Sequence, residues 1–168
     1  IDYFFSSLQL RAINTLKLIQ DTLRAKNKPI KAWQLNERHY GSLTGLNKEE
    51  MKNKLGEKKI LEFRRSWDIR PEPLSKNSPY HPLNIDAYKN VPSDKIPDRL
   101  SNNKNILISA HGNSLRALCK FLFKLDEKKI SHLEIPTGNP LMINLDSKNK
   151  ILECKYLEKK RAKDLLVF

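Results

Sequence analysis

The sequence predicts an α/β sandwich, and three observations carry that prediction. Two stretches, Ile1-Asp2-Tyr3-Phe4-Phe5 and Ile106-Leu107-Ile108-Ser109-Ala110, have strand composition, and each turns at once into a segment of helical periodicity. A third region places two apolar runs, Leu141 to Leu145 and Ile151 to Leu157, on either side of Asp146-Ser147-Lys148-Asn149-Lys150, the pattern of a hairpin or of adjacent strands. In sheets of this kind, ligands collect where the carboxyl ends of strands meet helix N-termini.

After the first strand, Ser6-Ser7 offers a helix N-cap, and Ala12, Leu16, Ile19 and Leu23 then recur at helical spacing. Asn27-Lys28-Pro29 is expected to end that helix, with Ile30 to Trp33 forming a short second strand. Glu49 to Trp67 is charged and reads as one helix. Six of the nine prolines fall between Pro71 and Pro97, which predicts an extended, irregular excursion. The run Ile106 to Ala110 is continuously apolar, as in a central parallel strand, and His111-Gly112-Asn113-Ser114 leads into a helix from Leu115 to Leu125. The basic tail, Glu158 to Phe168, is expected to be a short helix.

At 168 residues and 39% hydrophobic content, residues 1–168 suit one domain with a real core. The sequence has no run of about 18 apolar residues and no charged-then-apolar leader, so a cytoplasmic chain is expected. Cys119 and Cys154 lie far apart in apolar stretches without zinc-site spacing, which predicts reduced, structural thiols. The net charge of +13 raises the question of nucleic acid. The excess comes from 23 lysines against 9 arginines, scattered among Asn and Ile without interleaved aromatics, so no nucleic-acid role is expected. The positive field would still draw a small phosphate toward a site.

The chemistry concentrates in Leu35-Asn36-Glu37-Arg38-His39-Tyr40-Gly41 and the following Gly45-Leu46-Asn47-Lys48. An acid, a guanidinium, an imidazole and a phenol stand side by side there, in a segment too polar and too glycine-broken for core packing. Such a set can grip an anion and move a proton. Arg11, near the start of the first helix, and His111, at the end of an apolar strand, can both be presented at one sheet edge, where helix N-termini favour anions. Arg64-Arg65 is a weaker signal, because neighbours on a helix point about 100° apart and meet one ligand only at a terminus or around a large molecule.

Those motifs, with Arg64-Arg65-Ser66, Ser109 through Leu118 and Ile135-Pro136-Thr137-Gly138-Asn139-Pro140-Leu141, resemble in order and spacing the cofactor-dependent phosphoglycerate mutases of the histidine phosphatase superfamily. The resemblance runs from Ile1 to about Tyr156. It implies a three-layer α/β/α sandwich with a mostly parallel central sheet. The implied reaction, glycolytic and gluconeogenic, interconverts 3-phosphoglycerate and 2-phosphoglycerate through a phosphohistidine, primed by 2,3-bisphosphoglycerate and without a metal. Glu37 matches the proton donor and acceptor, His111 the histidine that stabilises charge on the phosphoryl group in flight, and Arg11 the arginine gripping that group. Arg38, His39, Tyr40, Lys48, Arg64, Arg65, Gly112 and Asn113 fall at substrate-binding positions. Phosphorylated three-carbon acids are the implied partners, with a homodimer or homotetramer as the implied assembly.

Two features depart from the family pattern. The phosphorylated histidine belongs to an Arg-His-Gly motif, which this sequence lacks, and none of His39, His81, His111 and His132 replaces it. Ile1 corresponds to the family's second structural unit, so the first strand and helix are expected upstream. The segment near residues 98–105 is also expected to be shortened. If the complete polypeptide carries the nucleophile, a mutase is expected, or else a phosphatase or bisphosphoglycerate synthase of the same superfamily. If the truncation is real, the expectation is an inactive remnant that binds phospholigands.

Overall fold

The computed structural model describes residues 1–66, 68–86 and 104–161. Strand β1 (Tyr3–Ser6) alternates half-buried and buried positions, with Phe4 and Ser6 each only 1% exposed. It pairs in parallel with β2 (Ile30–Lys31) on one side and β3 (Ile106–Ser109) on the other. The sheet order is therefore β2-β1-β3. The α/β architecture and the parallel pairing are as expected, but β1 takes the central place foreseen for β3, which lies at the edge of the described sheet. A continuous apolar run reports apolar surroundings and does not count neighbours.

Helix α1 (Leu10–Thr22) follows β1. Its buried stripe is Ala12, Leu16 and Gln20, and Gln20 donates from Nε2 to the Asn27 carbonyl at 2.7 Å. The helix ends before Leu23, which is exposed. Residue Arg24 takes φ +52°, so the helix stops well ahead of Pro29. The expected serine cap also differs: Gln9 is the N-cap residue, Ser6 closes β1, and the Ser7 hydroxyl accepts from Gln9 N–H at 3.2 Å.

The charged stretch forms two helices, α2 (Lys48–Leu55) and α3 (Glu57–Arg65), broken at Gly56 with φ +84° and ψ 146°. Asn47 caps α2, its side chain accepting from Glu49 and Glu50 N–H. Between 68 and 86 the regular structure is one 3₁₀ turn, Pro82–Asn84, in keeping with the prolines. The rest of the proline-rich stretch, most of 98–105 and residues 162–168 of the tail lie outside the described residues.

Helix α4 (Gly112–Phe123) starts directly after His111, earlier than expected. The short helix α5 (Glu127–His132) was not foreseen, although Asp126, accepting from Lys129 N–H at 2.7 Å, is a recognisable cap. The last pair, β4 (Leu141–Leu145) and β5 (Ile151–Tyr156), forms the expected antiparallel hairpin. Cys119 and Phe123 of α4, Ile130 of α5, Leu133 and Cys154 of β5 form one buried cluster, with Leu141, Ile143 and Ile151 packed against it. Each large apolar side chain buried there contributes about 1.5–3 kcal/mol. Both cysteines are free, and burial pushes the Cys119 thiol up to about 12, so it stays protonated and packs as an apolar group.

Candidate active site

Four segments meet at the carboxyl edge of the parallel sheet: Ser7 after β1, residues 36–40 after β2, His111 after β3, and the first turn of α4. Local hydrogen bonds lock them together. The Asn36 side chain accepts from Leu8 N–H at 2.8 Å, the Asn36 carbonyl accepts from Ser114 Oγ at 2.6 Å, and Glu37 N–H donates to Gln9 Oε1 at 3.2 Å. The backbone under Glu37 is thereby held from α1 and α4 together.

His111 is buried at 6% exposure. Its Nδ1 lies 3.0 Å from Arg11 Nε and its Nε2 2.9 Å from Ser7 Oγ. Arginine has no acceptor, so Arg11 donates, Nδ1 accepts, and the proton of the neutral ring sits on Nε2 and points at Ser7. Burial first, then the Arg11 guanidinium, lower the His111 pKa, while Glu37 opposes them. The ring is neutral at pH 7.

Glu37 bridges two compartments. Its Oε2 accepts from Arg11 Nη2 at 3.1 Å and lies 4.0 Å from His111 Nδ1, whereas Oε1 accepts from Asn113 Nδ2 at 3.0 Å and from Arg38 N–H at 3.2 Å. With the Arg11 side chain 68% exposed, the ion pair adds at most about 1 kcal/mol to stability, so its consequence is orientation.

Beyond Glu37 and Asn113 opens a cavity of about 410 Å³. Among the described residues, Lys52, Arg64, Arg65 and Arg116 line it against two acids, Glu37 and Glu57, so this lining favours anions. Arg64 and Arg65 end α3, and each is braced by a different wall. The Arg64 guanidinium lies 5.5 Å from the Tyr40 ring centroid, while Arg65 donates to the Leu133 carbonyl at 3.4 Å and stands 4.0 Å from Glu134. Tyr40 OH meets Asn113 Nδ2, and burial, reinforced by Glu37, raises the phenol's pKa.

Arg11, Glu37, Tyr40, Arg64, Arg65, His111, Gly112 and Asn113 thus gather into one connected site. Three sequence candidates stand apart. Arg38 donates both arms of its guanidinium to the Ser66 and Ile69 carbonyls, tying the loop to the segment after α3. His39 is exposed and accepts from Gly41 N–H at 3.1 Å. Lys48 begins α2, exposed and away from the cavity lining. Sequence reading missed Arg116 and Ser7. The helical offset from Gly112 and Asn113 to Arg116 was the available signal for the first, and nothing local distinguished the second.

A buried neutral imidazole at a helix N-terminus, a carboxylate and converging guanidiniums are groups suited to handling a phosphoryl group. The chain belongs to the histidine phosphatase superfamily (branch 1), whose family model matches residues 1–156. Within that superfamily it is 67% identical to the 2,3-bisphosphoglycerate-dependent phosphoglycerate mutase of Pelagibacter ubique, over 100% of this chain and 79% of the relative. The mutase of the same name from Caulobacter sp. strain K31 is 42% identical over 98% of this chain and 78% of its own length. The first match spans 189 residues against the 168 here, so that relative carries residues inside the matched span that this chain lacks. Among solved structures, the native mycobacterial glucosyl-3-phosphoglycerate phosphatase superimposes with a TM-score of 0.58 over 92% of this chain and 74% of its own, at 19% identity. That likeness bears on the fold.

Proposed function

We propose that the chain carries the substrate-binding and proton-transfer site of a phosphoglycerate mutase that interconverts 3-phosphoglycerate and 2-phosphoglycerate, with residues 1–168 forming a single domain. The observation that carries this reading is the double engagement of Glu37, with one oxygen on the Arg11–His111 corner and the other on Asn113 at the cavity. A substrate hydroxyl at that junction can pass its proton to Glu37 as the oxygen takes the phosphoryl group, and regain it when the phosphoryl group leaves. Arg11 and His111 carry the charge of the group in flight. The cationic cavity holds the remaining carboxylate and phosphate, with Arg64 and Arg65 as forked donors and Tyr40, Gly112 and Asn113 at its mouth. His39, Lys48 and Arg38 belong to the proposed substrate set only if the 38–48 segment closes on the ligand. 2,3-Bisphosphoglycerate supplies the priming phosphoryl group when bound, a dependence that the relatives' names support. A cytoplasmic homo-oligomer acting on small phosphorylated acids, without metal or nucleic acid, and with its shortening near 98–105, completes the reading.

The test compares two polypeptides. One carrying an Arg-His-Gly segment ahead of Ile1 is expected to gain one histidine-bound phosphoryl group from 2,3-bisphosphoglycerate, read by intact mass, and to form 2-phosphoglycerate. Residues 1–168 alone are expected to bind 3-phosphoglycerate without turnover. In the longer polypeptide Glu37→Gln should lower kcat by about 10²–10⁴-fold. Full activity in that variant, or no phosphoryl uptake by its parent, sinks the reading.

A further inference from the structure

Arg116 projects from α4 into the cavity, where burial first and then the Arg65 guanidinium depress its pKa. A half-buried guanidinium is best held by a defined acceptor, and among the described residues no carboxylate lies within 4.0 Å of it. Its Nη2 meets Asn113 Oδ1 instead. The Nη1 atom lies 3.7 Å from where a Cβ on Gly112 would sit, so the guanidinium covers the backbone of the helix's first turn.

That contact settles an otherwise ambiguous group. The two ends of an asparagine amide have nearly the same shape, and only their partners distinguish them. Arg116 can only donate, so Oδ1 faces it and Nδ2 faces the opposite way. The two Nδ2 hydrogens then have two acceptors in reach, Glu37 Oε1 at 3.0 Å and Tyr40 OH. A turned amide would press Oδ1 against the Glu37 carboxylate and leave both donors on a guanidinium that cannot accept.

We propose that Arg116 is a positioning residue, holding the Asn113 amide so that its donors serve Glu37 and Tyr40. The proposal rests on the reading of Glu37 and Asn113 as parts of the mutase site and adds a residue that acts through another. The consequence is a carboxylate held at one oxygen by a donor whose own orientation is fixed from the cavity wall. The effect of removing Arg116 should therefore depend on whether Asn113 is present, which separates positioning from a direct grip on the ligand.

The experiment uses Arg116→Met, Arg116→Lys, Asn113→Ala and the double variant Arg116→Met/Asn113→Ala of the 168-residue chain. Without ligand, cross-relaxation from the Asn113 side-chain amide protons to the Tyr40 ring should be present in the parent, retained in Arg116→Lys and lost in Arg116→Met. Retention in Arg116→Met, in an otherwise unchanged spectrum, overturns the proposal. With 3-phosphoglycerate as the probe, calorimetry should show Arg116→Met weakening binding by roughly tenfold, about the worth of one charge-assisted hydrogen bond. The same substitution should have little effect once Asn113 is Ala. Equal losses in both backgrounds would show a direct ligand contact and overturn it. A parent chain that binds no 3-phosphoglycerate counts against the proposed function, while the ligand-free spectra still decide the role of Arg116. Should Arg116→Met fail to fold, Arg116→Ala, which likewise offers Asn113 no donor, is read the same way.

Discussion

His111 shows how much of the chemistry is set by individual atoms. Its two ring nitrogens have different partners, Arg11 on Nδ1 and Ser7 on Nε2, and these choose the tautomer. Burial and Arg11 also lower its proton affinity below the ordinary value of 6.5, and this has a sign that can be measured. Well above that value the ring is neutral whether the chain is folded or unfolded, so its titration contributes nothing. Below it, the unfolded chain takes up a proton that the folded site resists, and stability falls until the folded ring is protonated too. Urea midpoints between about pH 7.5 and about pH 5 should therefore drop further for the parent than for His111→Gln. Equal slopes would contradict the assignment. His111 and Glu37 were legible as candidates because the residues around them are unsuited to packing. Arg116 was not legible, because a lone arginine in a helix reads as surface until the cavity is seen.

At the level of elements, glycines decide where the chain turns toward the site. Gly41 has φ +52°, and a Cβ there would come within 2.2 Å of the Glu72 carbonyl oxygen, which also accepts from Ser42 N–H at 2.7 Å. Gly56 has φ +84°, yet a Cβ there would meet nothing within 4 Å. Gly56→Ala should cost about 1–3 kcal/mol from backbone strain alone. Gly41→Ala should cost more in urea unfolding, and should also weaken 3-phosphoglycerate binding by moving the loop that follows Tyr40. If the two variants are equally stable, the contact with residue 72 is unimportant. The strand-turn-helix units, the hairpin and the irregular 68–86 stretch were readable from period, proline and apolar runs. The division of the charged helix at Gly56 was not, because an isolated glycine in a helical pattern is often tolerated. The cap and length of α1 also escaped, because Ser7 gives its hydroxyl to a histidine 104 positions away and not to a helix start alone.

For the whole molecule, the net charge of +13 and the cationic cavity act in the same direction on an anionic ligand. The Debye length shrinks from about 30 Å to about 8 Å between 0.01 M and 0.15 M ionic strength, so 3-phosphoglycerate affinity should fall several-fold across that range. A salt-independent affinity, measured by calorimetry, would argue that the overall field is irrelevant. The sequence by itself determined the class of fold, the order of its strand-turn-helix units and most of the residue types that gather at the candidate site. These follow from periodicity and from polar clusters that cannot be core, both local properties. Only the tertiary structure decided that β1 is the middle strand of the described sheet, that Arg38 is spent on two carbonyls, and that Glu37 divides its oxygens between an imidazole corner and a cavity. Those outcomes depend on contacts between residues some 25 to 105 positions apart, which no local pattern encodes.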